Sequence, residues 1–345
     1  MSARVLVSIV TYDSGRYLKT CLESLKAQTY TDFSISLWDN ASADGTEALI
    51  EGFRNALGVI HFSKSNVGFC TAQNRLISPA ASEYVLILNP DVILDSNFLK
   101  IMVREMDGDP RAGSASGRLW RWQTESADLE HFLAHHQSRP KILDSAGIFL
   151  TPNQRHLDRG SGETDGGQYA RREYVFGASG AAAFCRRAML QDVADGPRYF
   201  DENFFAYRED ADLAWRAQWL GWRCLYVPEA TGYHARRVLP ERRSSLPDAI
   251  NMHSFKNRFL LRIKNMDLGT YARFFIPITL RDIAILAYVL VRERSSLPGI
   301  PLLIRSFRQT WALRKSLQSR RRASPRQIRS WFSYRPVAQR IPDSR

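Results

Sequence analysis

Three carboxylates fall within four residues, at Glu209, Asp210 and Asp212, in the stretch Glu202-Asn203-Phe204-Phe205-Ala206-Tyr207-Arg208-Glu209-Asp210-Ala211-Asp212. Phe204, Phe205 and Tyr207 exclude water, so a carboxyl held beside them loses hydration, and its charged neighbours also oppose ionisation. Both effects raise its pKa. The product is a proton acceptor suited to work near neutral pH. The same residues would equally serve as the acidic first turn of a helix continuing through Trp215 and Trp219, where the helix dipole favours anions. The triplet by itself leaves both readings open, and the elements upstream have to decide.

Those elements alternate. Val5 to Val10 reads as a buried strand, and Asp13 or Ser14 caps a helix whose Leu18, Leu22 and Leu25 recur at helical spacing. Strands follow at Phe33 to Trp38, Val59 to Phe62 and Tyr84 to Leu88, with helices from about Gly45 to Leu57 and near Cys70 to Ile77. This order implies an α/β fold with a mostly parallel sheet flanked by helices. Polar residues cluster just after the strands, at Thr11-Tyr12-Asp13, Asp39-Asn40 and Asn89-Pro90-Asp91. Ligands of open α/β sheets bind there, outside the carboxyl ends of the strands. No Gly-x-Gly-x-x-Gly follows the first strand and no Gly-rich Lys-Ser/Thr loop occurs, which excludes a dinucleotide-binding domain and a P-loop.

A different nucleotide site is therefore needed. Asp39 could accept the imide N–H of a pyrimidine, because a carboxylate is an acceptor only and uracil or thymine offers that donor; a turn-forming role is its alternative. Asp91 stands alone after an apolar strand and a proline, as a carboxylate that could hold Mg²⁺ or Mn²⁺ together with substrate phosphates, or simply cap a turn. Asn66-Val67-Gly68-Phe69 and Asn74 add amide groups and a glycine that permits close backbone approach.

Taken in order, these stretches resemble the inverting glycosyltransferases of family 2 on the GT-A nucleotide-diphosphosugar-binding fold. The likeness rests on Val7-Ser8-Ile9-Val10-Thr11-Tyr12, Asp39-Asn40-Ala41-Ser42-Ala43-Asp44-Gly45-Thr46, Asn66-Val67-Gly68-Phe69 with Asn74-Arg75, and Leu88-Asn89-Pro90-Asp91. Phe176-Gly177-Ala178-Ser179-Gly180-Ala181 and Phe200 through Leu213, extended to Pro228 and His234, complete it over roughly residues 4–236. The resemblance implies that Thr11, Tyr12, Asp39, Asn40, Asn66, Gly68, Asn74 and Asn89 line the nucleotide-sugar pocket. It further implies that Asp91 and His234 hold the metal, and that Asp210 is the catalytic base with Glu209 beside it. Asp212 is read as scaffold. The family's Asp-x-Asp motif has Asn89 in its first position here, which removes one carboxylate. The Phe-Phe-Ala-Tyr-Arg-Glu-Asp-Ala-Asp-Leu form of the motif and the basic tail are most similar to rhamnosyltransferases that use dTDP-L-rhamnose on polyprenyl-diphosphate-linked saccharides. UDP-sugars are the second choice of donor. Trp120, Trp122 and the loop from Gln123 to Arg172 are read as aromatic and flexible surface for sugar or acceptor, with Gly160 to Gly167 a mobile connection. A nucleotidyltransferase would want a Gly-rich basic signature beside the first strand, which is missing; a binding protein without turnover is the other-class alternative.

Charge divides the chain. Residues 251–345 hold 20 Lys and Arg against 4 Asp and Glu, whereas the preceding 250 residues hold 28 against 31. The expected organisation is a catalytic domain over 1–240 and a helical basic region over 241–345. Phe274 to Val291 is apolar but carries Arg281 and Asp282 near its middle and Pro277 as a break, which argues for an interfacial segment rather than a membrane span. Arg305, Arg308, Arg314 and Lys315 interleave with Leu302, Leu303, Phe307 and Trp311 in the same amphipathic manner. A lipid-linked acceptor at an anionic membrane surface would explain both. A helical pack against the catalytic domain with a solvated basic face is the alternative, and nucleic-acid binding through Arg320-Arg321-Arg322, Arg326 and Arg329 is a second one that comes with no recognition motif, so no nucleic-acid partner is expected. Cys21, Cys70, Cys185 and Cys224 are widely spaced and read as reduced, buried thiols. The expected location is cytoplasmic, peripheral on the inner face of the plasma membrane.

Overall fold

The computed structural model describes residues 3–122, 141–236 and 247–341. Strands β1 (Val5–Thr11), β2 (Phe33–Asp39), β3 (Val59–Phe62) and β4 (Tyr84–Leu88) lie parallel in the order β3-β2-β1-β4. All of β1 and β4 is buried, as expected of strands covered on both faces, so they read as continuous apolar runs without alternation. Helix α1 (Gly15–Lys26) buries Leu18, Cys21, Leu22 and Leu25. Helix α2 is shorter than its apolar pattern implies, ending at Gly52 (Thr46–Gly52) before a 3-10 turn over Arg54–Ala56. Helix α3 spans Phe69–Ile77 and α4 spans Phe98–Gly108.

Beyond β4 the sheet becomes mixed. Strand β11 (Ala182–Arg186) runs antiparallel between β4 and β6 (Ala112–Arg121), and β6 pairs in parallel with the long β12 (Arg223–His234). Short β5 (Val92–Leu94) pairs with the end of β12, and β7 (Leu143–Ser145) pairs with the end of β6. A separate hairpin joins β8 (Ile148–Leu150) and β9 (His156–Asp158), and β10 (Glu173–Val175) closes onto β12. Helices α5 (Arg187–Val193) and α6 (Glu209–Trp219) belong to this half.

The C-terminal quarter is helical: α7 (Asp248–Asn265), α8 (Leu268–Arg273), α9 (Phe275–Val291), α10 (Gly299–Ser319) and α11 (Pro325–Arg329). It does not form a core of its own after residue 240. Leu260, Leu261, Met266, Ile278, Leu317, Trp331 and Phe332 join the same buried cluster as β1 and β4, and β13 (Gln339–Arg340) pairs with β10 at the sheet edge. Pro277 does not break α9: it sits in the first turn, where no intrahelical N–H is required. Among the described residues no helix is long and apolar enough to cross a membrane. Helix α9 nevertheless exposes Ile276 at 70%, with Leu280, Ile283, Leu290 and Val291 also outward. The arginine triplet is partly spent on tertiary structure: Arg322 ion-pairs with Asp192 at 2.7 Å and Arg320 donates to the Asp192 carbonyl at 2.8 Å. Arg314 likewise turns inward, to the carbonyls of Ile263 and Met266. All four cysteines are buried and unpaired with one another.

Candidate active site

Register brings the strand-end residues together. Thr11 faces Asp39 across the β1–β2 ladder, and its hydroxyl donates to Asp39 Oδ1 at 2.7 Å. Ser42 donates to the same oxygen through its hydroxyl at 2.6 Å and to Oδ2 through its backbone N–H at 2.9 Å. The turn role and the acceptor role of Asp39 are therefore compatible: three donors orient the buried carboxylate, and Oδ2 keeps one lone pair for a ligand. Thr11 is fully buried beneath it and acts as its positioner. Tyr12, 51% exposed, is the neighbouring surface.

Other residues expected in this pocket have structural work. Asn40 accepts from Trp38 Nε1 at 3.0 Å and from the Val67 N–H at 3.2 Å, tying β2 to the loop before α3. Asn66 is exposed and accepts the Gly68 N–H at 2.9 Å. Gly68 has φ +85°, and a Cβ there would stand 2.5 Å from the Phe205 ring, so this glycine serves the close approach of the loop preceding α6. Asn74 is a correction. Its oxygen accepts from the Tyr199 and Phe200 N–H groups, and its Nδ2 donates to the Phe200 carbonyl and Glu202. All its hydrogen-bonding capacity is used to dock residues 199–202, and none remains for a nucleotide.

The metal candidates meet because β5 pairs antiparallel with β12, setting His234 opposite Val92. Asp91 Oδ1 then lies 3.3 Å from His234 Nε2, and Asn89, half-buried, stands two residues upstream of Asp91. Two neighbouring ligand atoms on one octahedral ion bound at about 2.1 Å stand about 3 Å apart. His234 Nδ1 faces Asp144 Oδ2 at 2.8 Å, the carboxylate backing that orients metal-binding histidines. Burial disfavours the imidazolium, but Asp91 and Asp144 outweigh it and raise His234 to about 10. Among the described residues no group of three His, Cys, Asp or Glu side chains is arranged to hold an ion. Asp91 and, once an ion displaces the proton from its Nε2, His234 would be two donors to a cation that takes its remaining ligands from phosphate and water.

Asp144 continues the chain to Arg236 Nε at 2.9 Å, and Arg236 also pairs with Asp158. Asp158 is in turn a charge felt by Asp210. A chain of alternating charge thus runs from the Asp91–His234 pair to Asp158, whose negative charge acts on Asp210. Neither Asp144 nor Asp158 nor Arg236 stood out in the sequence; the one available signal was a carboxylate at Asp144 inside the apolar run Ile142 to Ile148.

Glu209 and Asp210 occupy the first turn of α6. The chain enters it through Phe205, Tyr207 and Arg208, all at positive φ (64°, 72° and 74°), strain that tertiary packing must sustain. Asn257 of α7 supplies part of it by donating its amide to the carbonyls of Phe204, Ala206 and Tyr207, each at 2.8 Å. Asp210 accepts from the Gly180 N–H at 3.2 Å and the Ala211 N–H at 2.7 Å. Burial, then Asp158, raises its pKa. Glu209 is raised to about 8, first by burial and then by Asp210. Asp212 is scaffold: Arg216 at 2.9 Å, Lys264 at 3.0 Å and Asn265 at 2.8 Å engage both its oxygens.

Trp120 and Trp122 do not offer free faces. Both are buried, Trp120 donating to Asp165 at 2.7 Å with Lys141 Nζ 3.8 Å over its ring, and Trp122 edge-on to Tyr17. Residues 160–167 are tied down rather than mobile, through the Gly162 N–H to Leu143 and the Leu143 N–H to Glu163. Residues 123–140 of the loop expected to follow Trp122 lie outside the described residues.

The fold defines a GT-A type of α/β transferase. The glycosyl transferase family 2 model matches residues 6–193, more than half of the chain, and the protein belongs to that family. It is a glycosyltransferase. It is 29% identical over 240 residues to an N-acetylglucosaminyl-diphospho-decaprenol L-rhamnosyltransferase of Mycobacterium tuberculosis, covering 66% of this chain and 75% of that protein. The fold matches residues 1–349 of S. aureus TarS solved with UDP-GlcNAc, at TM-score 0.55 and 16% identity over 95% of this chain and 89% of the other. It also matches GalNAc-T7 solved with UDP, GalNAc and Mn²⁺, at TM-score 0.53 and 13% identity over 75% of this chain and 47% of the other.

Proposed function

We propose that this glycosyltransferase moves a sugar, L-rhamnose from dTDP-L-rhamnose, with inversion onto a polyprenyl-diphosphate-linked saccharide of the cell envelope. The observation that carries the mechanism is the contact chain from Asp91 through His234, Asp144, Arg236 and Asp158 toward Asp210. It supports a reading with the departing diphosphate at one end and the base at the other. Asp39 accepts the imide N–H of the base, and Tyr12 supplies the adjoining face. Asp210, ionised while Glu209 keeps its proton, removes the acceptor hydroxyl's proton. The freed oxygen lone pair forms the new bond to the anomeric carbon as the bond to the diphosphate breaks on the opposite side, taking its electron pair. Mg²⁺ or Mn²⁺ bound by Asp91 and His234 would supply neutralisation of the diphosphate's charge. The choice of acceptor and of rhamnose follows the mycobacterial relative. The exposed apolar face of α9 and the basic C-terminal quarter support a peripheral position at the inner face of the membrane.

The test is a donor screen, dTDP-rhamnose against UDP-sugars, on membranes containing polyprenyl-diphosphate saccharides, with wild type and Asp210→Asn side by side. Transfer by the wild type with dTDP-rhamnose as best donor is the expected result. A preference for a UDP-sugar would replace the donor, and undiminished transfer by the Asn variant would remove the mechanism.

A further inference from the structure

Beside the Asp91–His234 pair stands a guanidinium that no motif marked. Arg121 is the last residue of β6, and the parallel β6–β12 ladder pairs it with His234, the last residue of β12. Residues paired across a ladder send their side chains to one face of the sheet, so Arg121 and His234 share a face. Both converge on Asp144: His234 Nδ1 lies 2.8 Å from Oδ2, and Arg121 Nε lies 4.0 Å from Oδ1. The other arginine of this cluster, Arg236, is already engaged, through Nε with Oδ1 of Asp144 at 2.9 Å and through Nη2 with Asp158. Arg121 is held more loosely. Of the five N–H donors a guanidinium carries, its Nη2 donates to Ser161 Oγ at 3.2 Å, the one side-chain hydrogen bond it makes among the described residues, while its Nε is buried without a hydrogen-bond partner. Gly162, at φ +85°, closes one side: a Cβ there would stand 3.4 Å from Nη2. The side chain is 29% exposed, so its other side stays open to a ligand.

We propose that Arg121 is the phosphate-binding cation of the donor subsite, donating to the diphosphate of the nucleotide-sugar and to the nucleoside diphosphate that leaves. This rests on the donor class proposed above. With the diphosphate at Asp91 and His234, the shared face of β6 and β12 puts Arg121 beside it. The chemistry calls for a cation there. As the anomeric C–O bond breaks, its electron pair passes to an oxygen of the diphosphate, which gains negative charge. Asn89 removes one carboxylate of the family's metal motif, so the protein grips an ion less firmly, and a fixed guanidinium does part of the same work whatever the ion's occupancy. Arginine suits the task because it is permanently charged and its parallel N–H groups match two phosphate oxygens. Donors already in place where charge develops need no reorganisation during the reaction. Ser161 takes one N–H, and the 4.0 Å separation from Asp144 is beyond hydrogen-bond distance. Together they orient the group without using up its donors.

The test is calorimetric titration of the full-length protein with dTDP, UDP, thymidine and uridine in saturating Mn²⁺, for wild type, Arg121→Gln and Arg121→Lys. The wild type binds one nucleoside diphosphate more tightly than its nucleoside. Arg121→Gln weakens that diphosphate about tenfold, the order of one lost hydrogen bond to a charged group, and leaves the nucleoside unchanged. Arg121→Lys keeps the charge without the fork and falls between the two. Equal diphosphate affinity of wild type and Arg121→Gln overturns the subsite, as does an equal loss for the nucleoside. Recovery of wild-type diphosphate affinity when Mn²⁺ is raised about 100-fold, enough to offset a weakened backing of the histidine, reassigns Arg121 to the support of His234 through Asp144 and also overturns it. Melting curves without ligand show which variants fold. Where the Gln variant does not, the Lys variant decides, and wild-type diphosphate affinity in it overturns the subsite. The donor reading is scored on the wild type: a protein that prefers neither diphosphate to its nucleoside removes that reading and the subsite with it, whereas a preference that ignores Arg121 removes the subsite alone.

Discussion

The backbone N–H of Gly180 donates to Oδ2 of Asp210 at 3.2 Å, and a Cβ at Gly180 would stand 3.3 Å from that carboxylate. The proposed base is thus oriented by the turn leading into β11, a segment anchored in the middle of the sheet. Its neighbour Glu209, on the same helical turn, is bonded by its own backbone N–H instead, and one of its buried oxygens has no partner. The two adjacent acids therefore differ in what holds them, and that difference separates their roles.

Asp210→Asn is expected to lower kcat by about 10² to 10⁴, the range for loss of a general base, with donor binding unchanged. Glu209→Gln, isosteric with the protonated acid, is expected to stay within about tenfold of wild type. Initial rates with the radiolabelled donor decide it. A Glu209→Gln variant as damaged as Asp210→Asn would move the base to Glu209.

Stability should fall as pH rises through the range set by Glu209. Its ordinary pKa is 4.5 and its folded value about 8, so between those limits the folded state binds more protons than the unfolded one. A raised carboxyl then loses stability with increasing pH, by at most about 1.4 kcal/mol per pH unit. The melting temperature of the wild type should drop from pH 6 to pH 8.5 more than that of Glu209→Gln. Parallel melting curves for the two proteins across this range would contradict the assignment.

Thermal shift with Mn²⁺ and either dTDP or UDP reads the metal pair. The wild type should be stabilised, and Asp91→Ala should lose that stabilisation. Asp144→Asn, which weakens the backing of His234 along with the pairing to Arg236, should need about 10 to 100 times more Mn²⁺ for the same shift. An unchanged Mn²⁺ requirement in both variants would place the ion elsewhere.

Lys264 lies 2.9 Å from Asp201 and 3.0 Å from Asp212, all three buried. Lys264→Met leaves Asp201 without its cation and Asp212 with Arg216 alone, and is expected to cost about 3 to 5 kcal/mol, the usual penalty of a stranded buried charge. Urea denaturation at pH 7 measures it. A loss below about 1 kcal/mol would mean that α7 is not the support of the catalytic loop.

Local pattern carried far in the first half of the chain. β1, β2, β3 and β4 were legible because strands buried on both faces read as apolar runs, and helix spacing marked α1 and α3. Motif order then offered Asp39, Asp91, His234 and Asp210 as candidates. Asn74 was misassigned because an amide in a motif has no visible partner in sequence, and its partners at 199–202 lie far along the chain. The tryptophans were misread for the same reason: whether an aromatic face is open depends on Asp165, Lys141 and Tyr17, none of them adjacent. Helix α7 was seen only as part of a basic tail, although its Asn257 and Lys264 brace the catalytic loop.

The amino-acid order by itself determined the α/β alternation, the position of polar residues at strand ends, the family and the candidate base, all of which depend on spacing within short segments. Tertiary structure alone decided which carboxylates communicate. Asp91 meets His234 through the β5–β12 register, Asp144 and Arg236 extend that contact to Asp158, and Asp210 is held by the Gly180 N–H just before β11. Charge interactions act through space and with the burial of each partner, so their effect on a pKa is settled only when distant strands and the C-terminal helices have closed around the site.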